Sequence, residues 1–480
     1  MRSSSSSIRV ATYSALAAAA LMAFSSGVTR ANEPAAARAF SAHESPDDEP
    51  DPLKAAAPQV TPGPALRAPM RTKNFTVVGH SALGGGGLNA DVWEHRGYAY
   101  VGVWSGDDCP ATGVKVADVR NPRNPRLVSR LRNPDKTSAE DVVVRHVDTP
   151  RFAGDLAVVG IQTCGDPGRS RVFRGLAFFD VTDPSQPRQL ARYRVKRGTV
   201  GCHEVDLVVR RDGRVFAACA NAFAEQIVRS DEVIVVDVTN PVRPRKLAGF
   251  ALGKDLNVNP ANNRQNVGCF SASFAHSVRF SKAGRTLFAS YWDYGTLRFH
   301  LRPDGQLSDP LGRTDIAPPD EDADNHSMTL ARGGDTMVVN LEDFSPIGCG
   351  QPFQGWGEAQ VSTNHRGDNR LLSTFSTPRS RSMRTDGFYS IHNTERAGSK
   401  TAQLFSSWYS DGIVWWSVAN RRAPVMKGQF VPPPTEDPTG FFPSVPLVWG
   451  VYPDRSSNLI FASDLNSGLW ILRPTGLGRF

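Results

Sequence analysis

Apolar and polar positions along this chain come in short bursts and do not follow a helical step. "GVKVADV", "GLAFFDV", "RVFAACA" and "VIVVDV" are apolar runs bounded by Gly, Pro, Asn and Asp. Bursts of this length between turn signals predict β-strands, and many of them at regular spacing predict an all-β protein. Three of these strands lead into one repeated turn: "DVRNPRNPRLV" from Asp118, "DVTDPSQPRQL" from Asp180 and "DVTNPVRPRKL" from Asp237. "SVANRRAPVMK" from Ser417 is a looser copy. An Asp or Asn side chain hydrogen-bonds the backbone ahead of it and Pro fixes φ, so the motif reads as strand, tight turn, edge strand. The first three copies start 62 and 57 residues apart, and the fourth follows 180 residues later, three periods of about 60.

A second pattern lies upstream of the turn. "FASYWDYGTLRF" from Phe288, "FSSWYSDGIVWW" from Phe405 and "FASDLNSGLWIL" from Phe461 share Ser in third place and Gly in eighth. They read as hairpins whose Gly takes a backbone conformation other residues resist. A third element precedes both and marks inner-strand starts at Ala90, Glu140, His203, His276, His326, Tyr389 and Trp449. Seven starts predict seven units of four strands. The last unit runs out of chain before its outer strand, and "NFTVVGH" from Asn74 is a spare strand that can supply it. The expected architecture is a seven-bladed β-propeller, its last blade closed by the N-terminal strand. Radial closure buries both faces of every blade and shortens the exposed sheet edges.

At this point "GVKVADVRNP", "GLAFFDVTDP" and "VIVVDVTNP" resemble the LVIVD repeat, an apolar strand ending in Asp-Val before an Asn/Asp-Pro turn. The resemblance is strong over residues 89–250 and weaker over 389–430, and the fourth and fifth units depart from it. It implies a propeller on exported or surface proteins. It implies no single activity, because the motif is scaffold.

Composition then places the chain. It has 480 residues, 40% hydrophobic, with 42 Gly and 35 Pro, which fits a large turn-rich globular protein. "MRSSSSSIRV" with Arg2 and Arg9, followed by "ALAAAALMAF" and small residues, reads as a secretory signal peptide over 1–31. Residues 32–71 are rich in Ala, Pro and acid and read as a disordered linker, leaving 72–480 for the propeller. A secreted or cell-surface, monomeric protein is expected, with no transmembrane segment after signal removal. The net charge of +8 is scattered over surface turns, and no recognition helix or aromatic–basic motif points to nucleic acid.

The candidate chemistry sits at the inner-strand starts, which share one mouth of the central channel. Three consecutive units place His203, His276 and His326 there, and Glu140 holds the equivalent place in the unit before. Imidazoles with a carboxylate suit a divalent transition metal; the same histidines can instead cap strands. Asp91, Asp141 and Glu204, one residue later, are expected to turn toward a neighbouring blade. The acidic run Asp320, Glu321, Asp322 and Asp324 reads as a solvated connection. The six cysteines of an exported chain suggest bridges Cys109–Cys164, Cys202–Cys219 and Cys269–Cys349. Trp292, Trp408, Tyr409 and Trp415 sit beside hairpins and serve either blade packing or sugar stacking. No nucleophile elbow, zincin, phosphate-loop or dinucleotide motif is present. Two functions remain. The leading one is a binding or scaffolding propeller for a protein or polysaccharide ligand, contacting it through the loop 342–360. The alternative is a metal-dependent hydrolase or oxidoreductase with its site at the channel mouth.

Overall fold

The computed structural model describes residues 60, 69–85, 88–104, 112–164, 171–259, 273–314, 324–344, 356–365, 369–382, 384–398, 400–437, 440 and 442–476. They form seven antiparallel sheets arranged as a β-propeller. The first blade runs through Leu88–His95, Tyr98–Trp104, Val114–Asp118 and Arg126–Leu131. The inner strands of the second to sixth blades are Val142–Thr149, Val205–Val209, Ala275–Phe280, Asn325–Ala331 and Thr394–Arg396. The seventh blade comprises Val448–Asp454, Leu459–Asp464, Gly468–Pro474 and, as its outer strand, Phe75–Ser81 from the other end of the chain.

That closure is a full ladder, from Phe75 opposite Pro474 to Ser81 opposite Leu469. Gly468 sits at φ +96°, and a Cβ there would meet the Ser81 carbonyl oxygen at 2.3 Å, so the closing strand can approach only a glycine. Apolar side chains interlock between neighbouring sheets around the ring. Val92 and Val101 of the first blade pack with Phe461 and Ile471 of the seventh, and Phe75 and Trp470 of the seventh pack with Phe405 and Trp415 of the sixth. Each such aliphatic or aromatic side chain contributes about 1.5–3 kcal/mol when fully buried, which no isolated blade can collect on both faces.

The repeated turn has the expected chemistry. Asp118, Asp180 and Asp237 each accept a hydrogen bond from the backbone N–H two residues on, at 3.0, 3.1 and 2.9 Å. Backbone bonds Asn124 N–Asn121 O, Gln186 N–Asp183 O, Arg243 N–Asn240 O and Ala423 N–Asn420 O close the same turn in all four copies. The register also slips once at the same place in each, between Val116 and Ala117, Phe178 and Phe179, Val235 and Val236, and Trp415 and Trp416.

Two boundaries differ from the sequence reading. Arg71–Lys73 is a strand paired with Val425–Val431, so the sixth blade has a fifth, outermost strand, and Val60 is buried in an aromatic cluster beside Trp449. Ordered structure therefore includes Val60 and begins its first strand at Arg71, inside the segment read as linker. In the sixth blade the inner strand starts at Thr394, not near Tyr389. The signal peptide and most of the linker lie outside the described residues. Cys202 and Cys219 are bridged, with Cα atoms 5.5 Å apart. Cys164 is disulfide-bonded too, but Cys109, Cys269 and Cys349 lie outside the described residues. So do Asp320, Glu321 and Asp322. No helix among the described residues is long and apolar enough to cross a membrane.

Candidate metal centre

A β-bulge at the start of the inner strands aims one side chain per blade into the channel. In the fourth blade Ala275 pairs with Tyr291 and Ser277 with Ser290, which leaves His276 as the extra residue. His326 stands the same way between Asn325 and Ser327, and Trp449 between Val448 and Gly450. Bulges redirect a side chain that regular pleating would send to a sheet face. In the third blade the Cys202–Cys219 bridge pins the residue next to His203.

These devices bring His203, His276 and His326 side by side, and His392 joins them. Successive ring centroids are 4.3, 4.1 and 4.1 Å apart. His392 is the ring position of the sixth blade, and the sequence reading placed Tyr389 there in error. The signal was present: "HNT" at His392 parallels "HSV" at His276 and "HSM" at His326. Trp408, Tyr409 and Trp292 are buried, in line with packing, and Trp292 lies 5.3 Å from the His276 ring.

The outer nitrogens of two rings are anchored. His203 Nδ1 lies 3.0 Å from Glu140 Oε2 and 3.2 Å from Gln162 Oε1. His392 Nδ1 donates to the Trp449 carbonyl oxygen at 2.9 Å. Those bonds fix the tautomers and turn both Nε2 lone pairs inward. His203 Nε2 is 3.0 Å from His276 Nε2. His276 and His326 are buried, and each is faced by the backbone of the next histidine in the ring, His326 and His392 respectively, without a hydrogen bond of full geometry.

Carboxylates face the same arc. Glu204 Oε1 lies 3.9 Å from His276 Nδ1 and 3.7 Å from His326 Nε2. Glu342 reaches His326 Nε2 at 3.6 Å and His392 Nε2 at 3.8 Å, and accepts a short hydrogen bond from the Tyr409 hydroxyl. Two triads therefore share His326: Glu204, His276, His326 and His326, Glu342, His392, with ligand atoms in each within 4.8 Å. Asp141 behaves as expected and accepts from Val205 N of the next blade at 2.7 Å. Asp91 instead accepts from Asn393 of the sixth blade, and Glu204 turns to the histidines. Sequence reasoning missed Glu342 as well, because it follows a second strand and carries no repeat signature.

Burial, reinforced by neighbouring imidazoles, pushes His276 and His326 well below the usual histidine range, and burial does the same to His392. Burial and mutual repulsion hold Glu204 and Asp91 well above the carboxylate range, and burial takes Asp141 up to about 7. Neutral imidazoles are the form that ligates metal. Nitrogens 3.0 Å apart that both bond one ion at about 2.1 Å subtend about 90° at it, an ordinary angle between adjacent ligands.

No family model matches the chain, and no curated protein sequence matches it. Among solved structures, the chain is similar to the β-propeller domain of Cps50 (Swd1) from Myceliophteria thermophila, at 12% identity and a TM-score of 0.49, covering 84% of this chain and 99% of that one.

Proposed function

We propose that this protein is an exported, metal-dependent β-propeller enzyme that holds one divalent transition-metal ion on His203, His276, His326 and His392. The observation that carries the reading is the convergence of four imidazoles, successive rings 4.3, 4.1 and 4.1 Å apart and His203 Nε2 3.0 Å from His276 Nε2, with Glu204 and Glu342 beside them. An all-imidazole donor set without thiolate suits iron, copper or zinc. Glu140 serves as the outer partner that orients His203, and Glu204 and Glu342 offset the ion's charge. Four protein ligands would leave positions open on an ion that takes five or six, the condition for binding and activating a substrate, and the reaction class is oxidoreductase or hydrolase.

Elemental analysis of the purified full chain, before and after reconstitution with iron(II), copper(II) and zinc(II), tests this. The expected result is about one ion per chain, lost in His276→Ala, His326→Ala and His392→Ala while near-UV circular dichroism shows the fold retained. A folded protein that takes up none of the three metals would overturn the proposal. The remaining reading would then be a binding or scaffolding propeller for a protein or polysaccharide, which the fold supports in general.

A further inference from the structure

The inner strands of all seven blades line one cavity of about 610 Å³, the central channel of the ring. Four of those strands have their histidine at or just before the start and run away from it. At one end the channel is walled by Asp141, Glu204 and Asn393, each beside the histidines. Glu204 Oε1 lies 3.7 Å from His326 Nε2, Asn393 follows His392, and Asp141 follows Glu140, whose carboxylate holds His203. At the other end the wall includes His146, Lys282 and Arg455, all exposed. The channel therefore extends from the histidines to solvent at the face where the inner strands run into their turns.

The histidine face is packed differently. Trp449 and Tyr409 lie 4.3 and 5.6 Å from the His392 ring, and Trp292 lies 5.3 Å from the His276 ring. The first two belong to one buried aromatic cluster and Trp292 to another, both at the end of the ring where the inner strands begin. Exposure follows this division. The side chains of His326 and His392 are 0% and 1% exposed, those of His276 and His203 10% and 13%. Solvent thus meets the centre along its His203–His276 edge, which adjoins Asp141 and Glu204 at the inner end of the channel.

The channel wall is polar but balanced, with five carboxylates against five Lys or Arg. Its arginines are held to the wall: Arg279 by Glu395, Arg145 by the Leu207 carbonyl and the Trp93 ring, Arg396 by the Leu330 carbonyl. Such a wall is wetted and selects no sign of charge, and the volume matches a small-molecule chamber.

We propose that the substrate of the histidine centre is a small, water-soluble molecule that enters along the central channel, from the face opposite the histidine mouth, and not a polymer held by the loops around that mouth. That a substrate is turned over rests on the metal-dependent reading; the route rests on the channel alone.

Carbethoxylation of the metal-free full chain with diethyl pyrocarbonate, located by peptide mass spectrometry, tests the route. His203 and His276 are expected to react in the wild type. Lys282→Trp and Gly398→Trp, made together, place two indoles at the outer end of the channel. A Cβ at Gly398 meets only Arg455 Cδ, at 3.7 Å, so a larger residue has room there. Reaction at His203 and His276 should be lost in this variant, while His300, exposed and outside the channel, reacts as before. Lys282→Ala with Gly398→Ala should react like the wild type. Misfolding raises reactivity and cannot mimic the loss. Failure of His203 and His276 to react in the wild type overturns the proposal, as does equal reaction with the channel plugged. Elemental analysis of the same proteins after reconstitution reports separately on the metal centre, whose failure shows as absent metal with the route intact.

Discussion

The two arcs of the ring put one backbone to different uses. The third to sixth blades direct His203, His276, His326 and His392 into the channel, whereas the seventh and first direct Trp449 and Ala90. The bulge that aims Trp449 is the bulge that aims His276 and His326. Position is therefore set by the scaffold and chemistry by the residue type placed on it. Trp449 packs 4.3 Å from His392 and forms the apolar border of the polar arc. Glu140, Glu204 and Glu342 face the same histidines and would offset the charge of an ion held there.

The contrast can be broken most directly at its two ends. His326→Ala is expected to abolish metal binding, and Trp449→Phe on the opposite arc to preserve it, by elemental analysis of both proteins. Equal loss in the two would erase the distinction between arcs. Next comes the bridge that pins His203. Replacing Cys202 and Cys219 together by Ser opens a closure of 17 residues, and about 3 kcal/mol of stability should go with it, read as a lower urea midpoint. An unmoved midpoint would mean that strand pairing alone holds this corner. Glu140→Gln keeps the shape of the side chain but removes the charge that orients His203. Metal affinity should fall by about 10- to 100-fold in a chelator competition, with thermal stability little changed. Affinity equal to wild type would demote Glu140 to a strand cap.

A pH series tests the apolar arc. Lys115 in the first blade is fully buried, bonds to Asn89 Oδ1 at 2.7 Å, and is pulled by burial down to about 7. Its folded value lies below its unfolded value of 10.5, so its contribution is complete above 10.5 and is lost as pH falls to about 7. Relative to Lys115→Met, the wild type should gain stability as pH rises from about 7 to 10.5, and the difference should be level below 7. Chemical denaturation across that range measures it, and a level difference throughout would show an ammonium still in contact with water.

Much of the scaffold was legible because its signals are local. The Asp237 turn, the glycine at 468 and the strand before each turn act within a few residues, and counting their spacing yields blades and the need for a closing strand at Asn74. The site was partly legible. His203, His276 and His326 share a three-residue context with their strands, and they do meet. His392 shares that context too, but Tyr389 three residues earlier fits the same apolar rhythm and competes with it as a strand start.

By itself the sequence determined the repeat, the turn chemistry and which blades carry histidine, since each depends on neighbours along the chain. Only the tertiary structure decided that Glu204 turns to the histidines while Asp141 bonds a backbone, that Glu342 arrives from a loop, and that Arg145, Arg279 and Arg396 line one cavity with Asp206 and Glu395. Those facts depend on distances between groups far apart along the chain or on separate strands. No local pattern encodes such distances, because the closing of the ring sets them all at once.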